Sequence, residues 1–372
     1  MKKLLFLLAV TFQFLSCSAP DKESEDTFNF NYAIDTVMVE SKDHFFFLNW
    51  NLAISDVDEK NKLLYNLNPE TLLLEVIDLE KLQLKETIQL EKEGPNGVGG
   101  GFIVGIDKSS KGDLFLMSLQ GVHQLDAEYS KVKEIQLDGN HLQEQGLPPN
   151  AEIDIDGIIS ENGKFIVAPY NERGPKGRIL GLAILEVETG QLQLFPADFL
   201  QYLKEMEIYM VQDGRTVASQ REAFSMKLLK DKVIISSEAK NELWIYDREL
   251  DSLYAKAFQS TLTADSKPGN YKRLVESMEE FNAEGAKKGE EVHFYPFIHD
   301  GDNNVFWRIS VEGKTKVLSA FDESFDMLGE KVIEENIDFG SQAFLLDGTI
   351  YQFLNIADEL AFVRLKPSIV DQ

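Results

Sequence analysis

An all-β fold, organised as a six-bladed β-propeller with seven blades as the alternative count, is what the pattern of this chain predicts, and three observations carry it. From about residue 30 onward, apolar or alternating runs of about four to eight residues recur between turn residues, as short antiparallel strands do. The runs fall into sets of four, the unit of a propeller blade. The last set holds only three, while an unpartnered run near the N-terminus, Tyr32 to Val39, is free to complete it. Such closure hides two open sheet edges that would otherwise invite aggregation.

Composition supports a large folded body. Of 372 residues, 43% are hydrophobic and 10% aromatic, enough for an extensive core. Lys and Arg number 37 against 63 Asp and Glu, a formal net charge of −26. That field repels phosphate polyanions, and no stretch concentrates enough base to overcome it, so nucleic acid is excluded as a partner. The single cysteine, Cys17, rules out an intrachain disulfide and a cysteine-based metal site.

Residues 1–16 read as an export signal. Lys2 and Lys3 precede Leu4 to Leu15, an apolar stretch interrupted only by Thr11 and Gln13. As a helix it spans about 18 Å, well short of the roughly 30 Å hydrocarbon layer, so it is a cleavable signal rather than a permanent span. Phe14-Leu15-Ser16-Cys17 then resembles a bacterial lipobox, in which the cysteine thiol is acylated, palmitate being one such chain. Phe14 departs from the usual leucine, and an ordinary secretory signal with an incidental cysteine is the other reading. Two or three acyl chains, at about 0.8 kcal/mol per buried methylene, suffice for stable attachment to a membrane. Residues 17–30 form an acidic, flexible tether, from Ser18-Ala19-Pro20 into Asp21, Glu23, Glu25 and Asp26. Such a segment resembles the signal that sends Bacteroidota lipoproteins to the outer face of the outer membrane. A plain solvated linker is the alternative.

The propeller is expected over 31–366, with a tail at 367–372. His44 to Trp50, Leu72 to Asp78 and Lys85 to Leu90 open it. Ile103 to Ile106, Asp113 to Ser118, Gly121 to Leu125 and Val132 to Leu137 form the first complete meander, with turns at Lys111-Gly112-Asp113 and Gln120-Gly121. Ile153 to Ile159, Lys164 to Pro169, Leu180 to Glu186 and Gln191 to Phe195 make the next. Glu222 to Leu229, Lys232 to Ser236, Glu242 to Asp247 and Asp251 to Phe258 follow, then Val292 to Ile298, Val305 to Ser310, Lys316 to Phe321 and Met327 to Ile333. Gln342 to Leu346, Thr349 to Phe353 and Leu360 to Leu365 are the incomplete last set. Pro196 to Arg221 resists parsing. Two short helical insertions are expected, Ala197 to Met206 and Asn270 to Ala286, the second with Leu274, Met278 and Phe281 on one face.

The glycine-proline turn from Glu93 to Gly99, placed after Lys85 to Leu90, and the stretch from Phe294 to Ser310 resemble segments of envelope lipoproteins with a six-bladed, TolB-like propeller. With the lipobox and the length, the chain is similar to a Bacteroidota lipoprotein family known by a domain-of-unknown-function label. The resemblance implies a place in the cell envelope and a fold; it implies no catalytic residue.

Chemistry-bearing motifs are sparse. Gly97 to Gly101 is glycine-rich but leads into the β-run Phe102 to Ile106 rather than a helix N-terminus, so it is no phosphate cradle. Asp300-Gly301-Asp302-Asn303-Asn304 begins like a calcium loop, yet Val305 and Val311 stand where glycine and glutamate are required. It reads as a hairpin turn, with a looser Ca²⁺ site as the other reading. The five histidines show no metal-binding pairing, no G-x-S-x-G elbow occurs, and no cofactor is implied.

Two features remain. Glu152, Asp154 and Asp156 alternate and would share one face of a strand, as ligands for a cation or sugar or as acid and base groups. Asn171 to Arg178 inverts the local charge, and Arg173, Lys176 and Arg178 could receive an anionic sugar or carboxylate, the guanidiniums bidentately. A solvated strand face and an exposed loop that relieves repulsion are the corresponding bland readings. The functional expectation is a binding or interaction module at the cell envelope, its partner a glycan, a peptide or another envelope protein. A carbohydrate-active hydrolase or lyase is the alternative.

Overall fold

The computed structural model describes residues 28–99, 102–119, 121–174, 177–335, 337–340 and 342–370. The fold is all-β, and six of its sheets follow one plan, in which successive strands pair antiparallel with their sequence neighbours. The first sheet is Ser55–Asp58, Leu63–Asn68, Leu73–Asp78 and Gln83–Gln89. The second is Ile103–Lys108, Leu114–Ser118, Gly121–Leu125 and Lys131–Ile135. In the third, Ala151–Ile153 and Ile158–Ile159 both pair with Phe165–Glu172, which continues to Ile179–Glu186 and Leu192–Pro196. The fourth is Phe224–Leu229, Lys232–Ser237, Glu242–Asp247 and Ser252–Ala257.

The fifth repeats the split innermost strand of the third: His293–Phe294 and Ile298–Asp300 pair with Val305–Glu312, before Thr315–Asp322 and Met327–Val332. Phe344–Leu346, Thr349–Ile356 and Glu359–Ile369 form the sixth, and Phe30–Met38 completes it. That N-terminal strand pairs antiparallel from Phe30 opposite Ile369 to Met38 opposite Ala361. Arg364 Nε and Nη2 donate to Asp35 at 2.8 and 2.5 Å across the same pair.

No ladder joins one of these sheets to the next; side chains do. Leu67, Leu74, Ile106 and Leu116 lie in one cluster between the first and second sheets, and Phe115, Val122, Ile166 and Leu185 in another between the second and third. Val167 and Leu182 meet Val233 and Tyr246 between the third and fourth, and Leu243 and Ile245 meet Phe306 and Phe321 between the fourth and fifth. Trp307 and Leu318 pack on Ile350 and Leu365, and Phe353 and Phe362 pack on Leu64 and Ile77, so the sixth sheet touches both the fifth and the first. The packing is cyclic. It also explains the sequence pattern: a middle strand such as Leu114–Ser118 is buried at every position because both its faces are covered, while the outer strand Lys131–Ile135 alternates. Deleting one of these large side chains, Trp307 for instance, costs about 3 to 5 kcal/mol.

Differences from the sequence reading are local. His44 to Trp50 is apolar but forms no strand; Phe47 N instead donates to the buried Glu75 carboxylate at 3.0 Å, and Phe46, Phe47 and Leu48 are buried as a loop. The first sheet takes its inner strands from Ser55–Asp58 and Leu63–Asn68. Ile153 to Ile159 is two strands, because the Asp154 carboxylate accepts from Ile155 N and Asp156 N and turns the chain. Ala197 to Met206 is a 3₁₀ turn at Asp198–Leu200 and one helical turn at Tyr202–Glu205.

Pro196 to Arg221 holds two further strands, Ile208–Gln212 and Arg215–Gln220, which with Leu274–Val275 make a three-stranded accessory sheet containing a parallel pair. The second predicted helix therefore begins later, at Met278–Glu290, capped by Ser277 Oγ accepting from Glu280 N. Leu274 and Met278 are exposed, and the helix buries Glu284 and Lys288 in place of an apolar stripe.

Removal of residues 28–38 tests the closure. The shortened chain is expected to leave Glu359–Ile369 as an open edge, to elute as aggregate in size-exclusion chromatography and to melt at least about 5 °C below the parent. A monomer with the parent melting temperature would show that the terminal strand is dispensable.

Candidate functional site

The cycle has two ends. At one, each innermost strand turns into its neighbour, and Asp58 to Asn61, Lys108 to Gly112, Glu161, His299 to Asp302 and Leu345 to Asp347 surround a cavity of about 640 Å³. Its chemistry is largely spoken for. The Asp300 carboxylate, buried, accepts from Asn303 Nδ2 at 2.9 Å and from Trp307 Nε1 at 3.2 Å, so the calcium-like sequence is a capped hairpin turn. Lys62 Nζ bonds Asp347 Oδ2 at 2.7 Å and Lys108 Nζ bonds Gly112 O at 2.5 Å.

Between the two ends, inner strands present unpaired backbone groups to one another, and carboxylates answer them. Asp56 Oδ2 in the first sheet accepts from Lys108 N in the second at 2.6 Å, and Asp107 Oδ2 accepts from Ile159 N in the third at 3.1 Å. Burial raises Asp56 to about 6 against these backbone bonds, and burial with the Asp56 charge alongside raises Asp107 well above the carboxylate range. Burial likewise lowers Lys227, whose ammonium has no hydrogen-bond partner among the described residues.

The opposite end brings together the predicted acids and one of the predicted bases. Two adjoining cavities, of about 280 and 310 Å³, share Asp154 and Arg221 as their common wall. The smaller is also lined by Asp156, Asn171, Lys204, Glu207 and Glu222, and the larger by Glu152, Arg173, Asp138 and Leu119. Asp154 Oδ2 accepts from Asn171 Nδ2 at 2.9 Å; Asn171 Oδ1 is buried with no donor. Asp156 is raised by burial and by the Asp154 charge, with Arg221 opposing. The turn after Ile153 takes the three acids off a common strand face, so Glu152 and Asp156 enter different cavities on either side of Asp154.

Of the predicted bases, Arg173 is held by Nε donating to Ala151 O at 3.2 Å, which leaves its terminal nitrogens for the cavity. Arg178 is not available: its Nη2 and Nε bond Glu172 Oε1 at 2.6 and 3.1 Å, away from both cavities. Lys176 and Cys17 lie outside the described residues. Arg221 was not singled out by sequence reasoning, because it ends the stretch that resisted parsing. Its guanidinium is exposed and makes no ion pair or hydrogen bond among the described residues.

What fixes Arg221 is a buried charge cluster directly behind it. Glu222 lies between Lys267 and Lys288, at 3.0 and 2.9 Å, all three almost wholly buried. Lys288 Nζ, from the helix Met278–Glu290, also donates to Gln220 O at 3.2 Å and Arg221 O at 3.3 Å. The helix thus clamps the backbone that presents the arginine. A Ser-x-x-Glu capping signature at Ser277 to Glu280 was the signal that could have placed this helix from sequence.

Residues 27–332 match the family model described as a domain of unknown function, DUF4221, and the chain belongs to that family. A DUF4221 member from Bacteroides vulgatus is similar in structure, with TM-score 0.63 and 15% identity over 92% of this chain and 99% of that one. A Bacteroides fragilis protein described as exported has TM-score 0.52 and 10% identity over 91% of this chain and 96% of its own. At these identities the likeness carries the fold alone. No curated protein matches the chain.

The channel carboxylates predict a pH signature. Because Asp56 and Asp107 hold protons in the fold at pH values where the unfolded chain has released them, their contribution to stability falls as pH rises from about 4 through 6 and beyond. Asp107→Asn removes that penalty while its side-chain oxygen still accepts from Ile159 N. The variant is expected to melt about 2 °C above the parent at pH 8 and to lose the advantage at pH 4.5. An offset independent of pH would contradict the protonation.

Proposed function

We propose that this DUF4221 member is an exported, lipid-anchored six-bladed β-propeller of TolB-like type that acts as a binding module. Its ligand site is the pair of cavities walled by Arg221 and Asp154, and the ligand carries an anionic group. Six sheets packed in a cycle, four of them four-stranded and two with the innermost strand split to make five, with the N-terminal strand completing the last, support the propeller. The signal-like residues 1–16 and the lipobox-like cysteine support export and acylation at Cys17, and the acidic segment that follows supports the outer membrane as the proposed location. The description of the Bacteroides fragilis neighbour as exported agrees with this location.

The observation that carries the ligand reading is electrostatic. In a chain of net charge −26, Arg173 and Arg221 face one cavity and neither has a carboxylate within salt-bridge distance among the described residues. An incoming carboxylate would supply what the fold withholds, and paired guanidiniums suit it geometrically. Binding is favoured over hydrolase or lyase chemistry because the carboxylates here are engaged. Asp154 accepts three hydrogen bonds, Glu222 holds two lysines, and Glu207 takes the Tyr209 hydroxyl and pairs with Lys204 at 3.2 Å. In the smaller cavity this leaves Asp156 as a single acid where a glycosidase needs two, while Glu152 and Asp138 line the larger one.

Two measurements test the proposal. Cys17→Ser should move the protein from the membrane fraction to the soluble fraction, and continued membrane attachment would overturn the anchor. A panel of small carboxylates, followed by thermal shift, should contain a ligand whose affinity falls about tenfold or more in the Arg173→Ala, Arg221→Ala double variant. Unchanged affinity in that variant would remove the arginines from the site.

A further inference from the structure

The anionic-ligand reading leaves the ligand class open, and the surroundings of the two arginines narrow it. Resting on that reading, we infer that the site takes a carboxylated oligosaccharide, a glycan containing a uronic acid, with the acid sugar between Arg173 and Arg221 and the next sugar on an aromatic shelf formed by Trp50 and Phe102. Three features of the cavity walls point to this class.

The first is the balance of donors and acceptors. Beyond the two guanidiniums, the adjoining walls offer mainly acceptors: Glu152, Asp154 and Asp156, and the buried Asn171 Oδ1 that no protein donor satisfies. A ligand made only of negative charge, such as phosphate or a polyphosphate, meets these carboxylates with repulsion. A ring bearing one carboxylate and several hydroxyls supplies both halves: an acceptor for the guanidiniums and O–H donors for the acids and the orphan amide oxygen.

The second feature is the shelf. Leu119 lines the larger cavity, and its N–H donates to Phe102 O at 3.4 Å, so the backbone at Phe102 runs beside the cavity wall. Phe102 is 53% exposed and Leu119 67% exposed. The Phe102 ring lies 5.3 Å from that of Trp50, which in turn meets Phe47 at 5.8 Å. The buried Phe47 braces Trp50, and the Phe102 ring, tilted 47° to the indole, extends that surface toward solvent. Aromatic faces receive the C–H face of a pyranose, and exposed rings next to the wall of an anion site suit a chain of sugars better than a single acid.

The third is rigidity behind the charge. Lys288 holds Arg221 O, and Glu222 next to it is locked between two lysines, so the guanidinium projects from a fixed backbone. Preorganised donors lose less entropy on binding, which favours a weakly charged partner over one recruited by long-range attraction.

The test uses the full-length chain in detergent, by calorimetry and intrinsic tryptophan fluorescence, with three probes: hyaluronan tetrasaccharide, its methyl ester and free glucuronate. The acid tetrasaccharide is expected to bind, the ester about tenfold or more weaker, and the monosaccharide weaker than the tetrasaccharide. Arg221→Ala should weaken the tetrasaccharide and glucuronate alike. Phe102→Ala should weaken the tetrasaccharide about fivefold and leave glucuronate unchanged; because Phe102 is exposed, its removal leaves the core intact. Equal binding of the ester and the acid, or of the tetrasaccharide by Phe102→Ala and the parent, would overturn the inference. If no uronate binds while a glutamate-rich peptide or citrate does so through Arg173 and Arg221, the sugar class falls and the anion site stands. If the arginine variants change nothing for any ligand, both fall.

Discussion

Side-chain packing between sheets that no strand ladder joins is the constraint on which everything else in this molecule depends. A twisted four-stranded sheet has two faces to cover, and each of the six covers both by lying between two others. This arrangement succeeds only if the cycle has no gap, because a gap would expose one face of each flanking sheet. The gap would fall where the chain begins and ends, and the antiparallel pairing of Phe30–Met38 with Glu359–Ile369 seals it. The two terminal segments thereby become one sheet, and the fifth and first sheets each gain the neighbour they require.

Closure has an electrostatic consequence. Six innermost strands converge with edges that no ladder satisfies, and buried unpaired N–H groups are costly. The chain answers with carboxylates at Asp56 and Asp107, and accepts in return two buried acids whose charges oppose each other. Elsewhere the same problem has cationic answers. Arg308, wholly buried, donates to Ser237 O, Asn241 Oδ1 and Tyr295 O and lies over the rings of Phe294 and Phe297, tying the fifth sheet to the fourth; burial pulls it down to about 9. Lys288 does this for the accessory sheet and the ring together. Buried charge in this fold joins elements that hydrophobic packing leaves adjacent but unregistered, through backbone groups as well as through opposite charges.

The legible part of the fold follows from that packing. Strands covered on both faces, such as Glu242–Asp247 and Thr349–Ile356, give unbroken apolar runs that sequence reading locates to within a few residues. Inner strands are short, polar on the channel side and interrupted, so Ser55–Asp58 was missed and Ile153 to Ile159 was read as one strand when a side-chain turn at Asp154 makes it two. His44 to Trp50 misled for the opposite reason: its apolar residues are buried without pairing, their backbone served by Glu75. The helix Met278–Glu290 was misplaced because its buried face is Glu284 and Lys288, which no hydrophobic periodicity reveals. At the candidate site, Asp154 and Asp156 are legible as an alternating acidic run and Arg173 as part of a local charge inversion. Arg178 was indistinguishable from Arg173 by type and is consumed by Glu172, while Arg221 depends on elements far apart in sequence, the helix and the loop before the fourth sheet.

On the proposed reading, an acidic protein that takes an acidic ligand has to reconcile a long-range field with a local one. At physiological ionic strength charges more than about 8 Å apart are largely screened, so the net charge of −26 slows the approach of anions but weighs little once one is seated. Inside the cavity short-range contacts govern: the two guanidiniums have no carboxylate partner among the described residues, while Asp154 already accepts hydrogen bonds from Asn171 and from backbone N–H groups. The combination discriminates by charge density. A polyanion meets the whole field and the cavity acids together, whereas a ligand with one carboxylate and a hydroxylated body meets mainly the guanidiniums and finds the acids useful as acceptors. The acidic exterior is then part of the specificity, because it opposes the highly charged competitors that two exposed arginines would otherwise collect.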